Sequence, residues 1–278
     1  MAHRDLSRGL TFDDAAHAYD RYRPRYPAEL FDDLGVLASV KPHSRILEVG
    51  SGPGVATEQM IARGWSVFAV DPGEQLAALA RDKFPVERFS CEVATFDEWD
   101  PKGRRFDLVL SATAYHWVAP EVRWTKAAQV LDEGGVIALL TNEVDDRGSF
   151  HEFSVATREL RARYGVDEEA EIPLSHLKSI TERYGGDIGA MWEALNPRDS
   201  AVIAGDLFAA PVVRIYRWST TYSPEEALGL LGTYSRFLTM DAARRASLFQ
   251  ELRDVLHYKF RGQLTREYAT VLALAARR

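Results

Sequence analysis

An α/β fold built on a doubly wound, mostly parallel sheet is what this chain of 278 residues predicts. Three features predict it. Short, continuously apolar runs alternate with helical stretches between Ser44 and Asn142. Glycine or polar residues bound each run. Strand-like runs then return after a long helical interruption. Strands that are apolar on both faces and separated by helices belong to a parallel sheet covered on both sides.

Taken in order, Phe12, Ala16 and Tyr19 recur at helical spacing, with Asp13 and Asp14 near the start. Pro24 and Pro27 interrupt. Pro27 can open a second helix with the apolar stripe Leu30, Phe31, Leu34 and Leu37. The spacing predicts strands over 46–50, 67–71, 88–93, 106–113 and 136–141, with helices over 55–63, 74–84 and 121–131 between them. Gly64 ends one helix, and Gly134 and Gly135 turn the chain into the fifth strand. Residues 148–200 show no strand pattern. They read as a helical insertion after strand five, rich in charge and in aromatics such as Tyr164, Tyr184 and Trp192. Strand character returns at 212–220, helices follow over 224–231 and 242–256, and a final strand over 267–275 completes the sheet. The expected organisation is an N-terminal helical lid (1–40), a Rossmann-like core (41–145), a helical insertion capping the substrate (146–210) and a C-terminal part completing the core sheet (211–278).

Composition narrows the function. The net charge is −7, and no dense Lys/Arg run is present, so nucleic acid is not the expected partner. Cys91 is the single cysteine, which rules out an intrachain disulfide and fits a cytoplasmic location. The first residues lack the apolar stretch of a signal peptide, and no run approaches the roughly 18 apolar residues of a membrane span. No metal is expected: no two histidines share a helix at ligand spacing, and one cysteine cannot build a structural zinc site. His3, His17, His43 and His257 read as surface or capping residues, while His151 and His176 fall in the insertion. The nucleophile elbow of serine hydrolases is missing.

The segment Glu48-Val49-Gly50-Ser51-Gly52-Pro53-Gly54 carries the chemistry. It follows a strand and opens a helix. Glycine there permits a tight turn and lets backbone approach a ligand with no Cβ in the way. The ligand would lie beyond the carboxyl ends of the strands. Asp71, followed by Pro72, ends the next strand, where a carboxylate can accept both hydroxyls of a ribose. The dinucleotide fingerprint requires Gly-x-Gly-x-x-Gly/Ala, and its third position here is Val55.

The loop resembles motif I of the class I S-adenosylmethionine methyltransferases, an acidic residue followed by Gly-x-Gly-x-Gly. Other segments resemble the trans-aconitate methyltransferase-like, methyltransferase type 11 group. They are Cys91–Trp99 (CEVATFDEW), Ser111–Trp117 (SATAYHW) and Tyr19–Pro27 (YDRYRPRYP). The likeness covers roughly residues 10–142. It implies a soluble enzyme that binds S-adenosylmethionine, releases S-adenosylhomocysteine and methylates a small-molecule acceptor of organic-acid or secondary-metabolite type. It assigns cofactor contacts to Glu48, Gly50, Ser51, Gly52, Pro53, Gly54, Asp71 and Pro72. Thr95 and Phe96 fall at the adenine, and Ser111, Ala112, His116 and Trp117 border the methionine part and the acceptor. Tyr19 and Arg23 belong to the lid. Thr95 departs from the pattern, because many members carry an acidic residue there; Asp97 is the candidate substitute. Arg23 is either a ligand of the cofactor carboxylate or a solvated charge, and Trp117 either a wall or a core residue. His116 either orients the reactants or acts as general base. Two alternatives remain: a non-catalytic S-adenosylmethionine-binding regulatory protein, and an NAD-dependent oxidoreductase, which Val55 opposes.

Overall fold

The computed structural model describes residue 13 and residues 15–144, 148–166, 180, 182–183, 186–195 and 204–278. Phe12, Asp14, His176 and Tyr184 lie outside them.

Seven strands form one sheet in the order β3-β2-β1-β4-β5-β7-β6. They are β1 (Arg45–Val49), β2 (Ser66–Asp71), β3 (Phe89–Val93), β4 (Phe106–Ala112), β5 (Leu131–Val144), β6 (Val212–Tyr222) and β7 (Leu264–Ala276). The first five pair in parallel. β7 runs antiparallel between β5 and β6. The doubly wound, mostly parallel sheet is therefore as expected. Chain order reverses at β1, which pairs with β2 on one side and β4 on the other, leaving a crevice outside the carboxyl ends.

Strand sides alternate into two cores. Ile46 joins Leu30, Phe31 and Leu34 on one face, while Leu47 and Val49 join Trp99 and Trp124 on the other. The Leu30, Phe31 and Leu34 stripe belongs to α2 (Ala28–Leu37), which follows α1 (Ala16–Tyr22). The connecting helices are α3 (Thr57–Ala62), α4 (Glu74–Lys83) and α5 (Pro120–Val130). α3 is shorter than its sequence pattern, because Val55 and Ala56 are still in the turn that leaves the glycine loop.

β5 and β7 run longer than their apolar runs. β5 continues through Asn142 and Glu143, and β7 begins before Glu267. Backbone pairing holds these polar ends in the ladder, from Asn142↔Thr270 to Val144↔Tyr268. Periodicity reads side chains, whereas the ladder is made by backbone groups, so the overrun is invisible to it.

In the insertion, α6 (Ser149–Ala156) and α7 (Arg158–Arg163) precede α8 (Ile188–Leu195). α6 packs Phe150 and Phe153 into a third core with α9 (Pro224–Gly232) and α11 (Ala242–Phe260), which flank the short α10 (Ser235–Leu238). α8 buries Met191 and Trp192 in the core that holds Trp124. No helix among the described residues is long and apolar enough to cross a membrane.

Candidate functional site

A cavity of about 450 Å³ opens at the carboxyl ends of β1, β2 and β4. Gly50 and Gly52 shape its floor with φ of +72° and +54°, a left-handed backbone that side chains disfavour. A Cβ on Gly50 would stand 2.5 Å from the Ala114 Cβ, in the turn after β4. On Gly52 it would meet nothing within 4 Å, so this glycine leaves a cradle open to a ligand.

Asp71 is held by that loop. Its Oδ2 accepts from the Gly52 N–H at 2.7 Å and its Oδ1 from the Gly73 N–H at 2.8 Å. Burial raises its pKa, and the two N–H groups oppose the rise. Both oxygens keep a lone pair for a further donor. Glu48, on β1, is 1% exposed. Its Oε2 accepts from the Thr57 hydroxyl at 2.5 Å, and its Oε1 has no hydrogen-bond partner. Burial pushes the Glu48 carboxyl up to about 8, the Thr57 hydroxyl pulls it down, and the Asp71 charge adds to the rise. A buried acceptor without a donor is costly and marks a place for a ligand's polar group.

Most of the residues singled out from the sequence meet at this cavity. Glu48, Gly50, Ser51, Gly52, Asp71, Pro72, Thr95, Phe96, Ala112, His116 and Trp117 line it, with Tyr19 and Arg23 from α1 and its end. Three do not line it. Ser111 is fully buried, and its hydroxyl donates to the Val49 carbonyl at 2.7 Å, tying β4 to β1. Gly54 turns its Cα toward the Phe84 ring, and the Pro53 carbonyl accepts from Lys83 Nζ at 3.0 Å. Both sit on the outer side of the loop and support it against α4.

Thr95 and Asp97 are engaged locally. The Thr95 hydroxyl closes a turn with Glu98, and Asp97 Oδ1 accepts from the Ala119 N–H at 2.8 Å. Phe96 stacks on Trp99 at 6.2 Å. His116 sits on a single helical turn, Tyr115–Trp117, against the Trp117 ring. Among the described residues no three His, Cys, Asp or Glu side chains group as a metal site.

Sequence reasoning missed the far wall. Asn142, Val144, Tyr234, Arg236, Arg266 and Tyr268 line it, and Tyr26 joins them, its hydroxyl 2.8 Å from Thr113 Oγ1. No described residue of the insertion lines the cavity, although the insertion was expected to cap the substrate. Tyr234 and Arg236 lie at α10, and Arg266 and Tyr268 on the early part of β7, where the sequence shows no motif.

Gly50 offers a first test. Gly50→Ala combines left-handed strain, about 1–2 kcal/mol, with the contact to Ala114. Gly64→Ala has the same strain, φ +75°, and no neighbour within 4 Å. Thermal denaturation with and without S-adenosylhomocysteine should show both variants destabilised and only Gly64→Ala still stabilised by the ligand. An equal ligand response in the two would separate the loop from the site.

Residues 46–135 match the family described as methyltransferase domain. The chain is 36% identical over 144 residues to an uncharacterized methyltransferase of Mycobacterium tuberculosis strain H37Rv, covering 52% of this chain and 56% of the relative. It is 31% identical over 139 residues to one of Schizosaccharomyces pombe, covering 50% and 55%. It thus spans little more than half the length of these relatives. Among solved structures, a protein of Anaeromyxobacter dehalogenans provisionally named a type II methyltransferase shares the fold. Its TM-score is 0.54 and its identity 22%, over 92% of this chain and 98% of that one. Residues 46–135 thus carry the match to a methyltransferase domain, on the mostly parallel sheet whose carboxyl ends hold the cavity.

Proposed function

We propose that this protein transfers a methyl group from S-adenosylmethionine to a small-molecule acceptor of organic-acid or secondary-metabolite type. One observation carries the reading. Two buried carboxylates stand together where the sheet reverses: Asp71, held by the glycine loop, and Glu48, with an oxygen that no donor satisfies. An ammonium and a ribose diol meet both needs. A dinucleotide would also offer Asp71 a ribose diol, but its diphosphate brings no donor for the Glu48 oxygen, which speaks against NAD.

In this reading Glu48 holds the ammonium and Asp71 accepts the ribose hydroxyls. Phe96 covers the adenine, and Arg23 takes the carboxylate. Gly52 lets the backbone come close. When bound, S-adenosylmethionine supplies an electrophilic methyl on a sulfonium. The protein contributes chiefly alignment of two reactants in one enclosed cavity. The sulfonium charge disappears as the methyl leaves, so no new anion has to be stabilised. A base is needed only for an acceptor that arrives protonated. His116 acts here as a positioning residue for the acceptor.

Incubation with methyl-labelled S-adenosylmethionine and a metabolite extract, read by mass spectrometry, tests the activity. Absence of any labelled product, together with thermal stabilisation by NAD instead of S-adenosylhomocysteine, would refute it. For His116, the Gln variant should keep most of the turnover and the Ala variant should lose affinity or alignment. A general base would contribute about 10²–10⁴-fold. A loss of that size in His116→Gln, with disappearance of the acidic limb of the pH profile, would replace positioning by proton abstraction.

A further inference from the structure

Where the apolar faces of β5 and β7 run out, polar side chains take over. Leu140 and Leu272 lie opposite each other in the core, and Asn142 and Thr270 follow on the same side of their strands, again opposite each other. Thr270 is fully buried. The Trp218 indole N–H, from β6, donates to the Thr270 hydroxyl oxygen at 2.9 Å, and that hydroxyl donates to Asn142 Oδ1 at 2.5 Å. The Trp218 ring is itself stacked on Tyr268, with 4.4 Å between ring centres.

This relay has one direction. An indole nitrogen only donates, so the Thr270 hydroxyl accepts from Trp218 and keeps its one hydrogen to give. With the Asn142 amide as it stands, that hydrogen reaches Oδ1. Turned over, the amide would place a second donor against the same hydroxyl and leave the hydroxyl hydrogen buried without an acceptor. A separation of 2.5 Å also belongs to O–H···O and is short for N–H···O. Trp218 and Thr270 thus decide which end of the amide is engaged. Oδ1 is satisfied within the wall, and Nδ2, with its two N–H groups, is the end left for the cavity that Asn142 lines.

The place of Asn142 says what meets it. Glu48, the glycine loop and Asp71 belong to β1 and β2, whereas Asn142 is on β5, on the far side of β4. The chain leaves β4 close to Asn142: the Thr113 N–H donates to the Leu140 carbonyl at 2.8 Å, and the turn that follows carries His116 into the same cavity. We propose that the Asn142 amide N–H groups hold an oxygen of the methyl acceptor through its lone pairs, and that Thr270 and Trp218 are positioning residues that keep those N–H groups turned to it. The proposal rests on the methyltransferase reading, and it adds what the acceptor must present at this wall: an oxygen that accepts a hydrogen bond, in preference to a group that donates one.

Nuclear magnetic resonance on the protein with its nitrogen isotopically labelled, saturated with S-adenosylhomocysteine, tests it. The probes are acetophenone, whose carbonyl oxygen accepts, and α-methylstyrene, the same shape with a methylene in place of that oxygen. Asn142→Asp keeps an oxygen for Thr270 and replaces Nδ2 by a second oxygen, so the side-chain amide signals that this variant removes are those of Asn142. At least one of those proton signals should move downfield with acetophenone and not with α-methylstyrene. The ratio of the two affinities should fall by about fivefold in Asn142→Asp, the scale of one neutral hydrogen bond, since the different hydration of the probes cancels between variants. Thr270→Val should lower the ratio as well, and Thr270→Ser, which keeps the hydroxyl, should hold it at the unaltered value. Affinity for S-adenosylhomocysteine should stay the same in all three. An unchanged ratio in Asn142→Asp, or no binding of acetophenone to the unaltered protein, overturns the proposal. So does a loss of S-adenosylhomocysteine affinity in Asn142→Asp, which would move the amide to the cofactor. An unchanged ratio in Thr270→Val overturns the relay. Failure of S-adenosylhomocysteine to bind the unaltered protein removes the cofactor reading instead, and the same titration on the protein alone then decides for or against Asn142.

Discussion

Asp71→Ala is expected to weaken S-adenosylhomocysteine binding by roughly tenfold to a hundredfold, because a hydrogen bond to a charged group is worth about 1.5–3 kcal/mol. Two effects act in the same direction. The ribose hydroxyls lose their acceptor, and the N–H groups of Gly52 and Gly73 lose the carboxylate that holds them at 2.7 and 2.8 Å. Asp71→Asn separates the effects. Its amide oxygen can still accept one of those N–H bonds, so the loop is better preserved than in Asp71→Ala while the charge is gone. Calorimetry should rank the affinities as Asp above Asn above Ala. An Ala variant that remains folded and binds with unchanged affinity would remove Asp71 from the site.

Glu48 should make cofactor binding depend on pH. Its folded carboxyl is raised from 4.5 to about 8 by burial, so near neutrality the empty protein holds it largely protonated. The sign for stability follows. A carboxyl raised on folding contributes stability that is fully present below 4.5 and is lost as pH rises through about 8. Binding reverses the preference, since an ammonium beside Oε1 favours the ionised form. Binding must then release a proton, and affinity should climb by up to about tenfold per pH unit between those limits. Calorimetry at pH 7 in two buffers of different ionisation enthalpy measures that proton directly. Glu48→Gln should bind more weakly, release none, and flatten the profile. A wild-type protein that releases no proton would show that the ammonium is held elsewhere.

The half of the cavity around the glycine loop was legible in the sequence and the other half was not. Glycine has few reasons to recur three times between a strand and a helix, and Asp71 follows at the next strand end. Backbone geometry restricts what may stand there, so the residues announce the place. Ser111 carried the same family resemblance but turned inward to Val49, because a small hydroxyl serves a strand contact as readily as a ligand. Arg236 and Arg266 had no such signal. They lie far apart in sequence and meet only because β7 inserts between β5 and β6 and brings its early residues beside α10. The insertion read correctly as helical where it is described. Yet α8 serves the core, since Trp192 and Met191 are buried there, and amphipathic spacing does not say which surface a helix will cover.

The antiparallel insertion of β7 has a consequence for how such a protein can diversify. Its hold on β5 and β6 comes from backbone pairs running from Val136↔Ala276 to Val144↔Tyr268 and from Val212↔Leu274 to Tyr222↔Leu264. Those bonds are indifferent to what the side chains at positions 266 and 268 are. The glycine loop has no comparable latitude, because Asp71 holds the Gly52 N–H and a Cβ on Gly50 would meet Ala114. Drift is thus confined to one wall: side chains there can be exchanged while the opposite wall of the same cavity stays fixed.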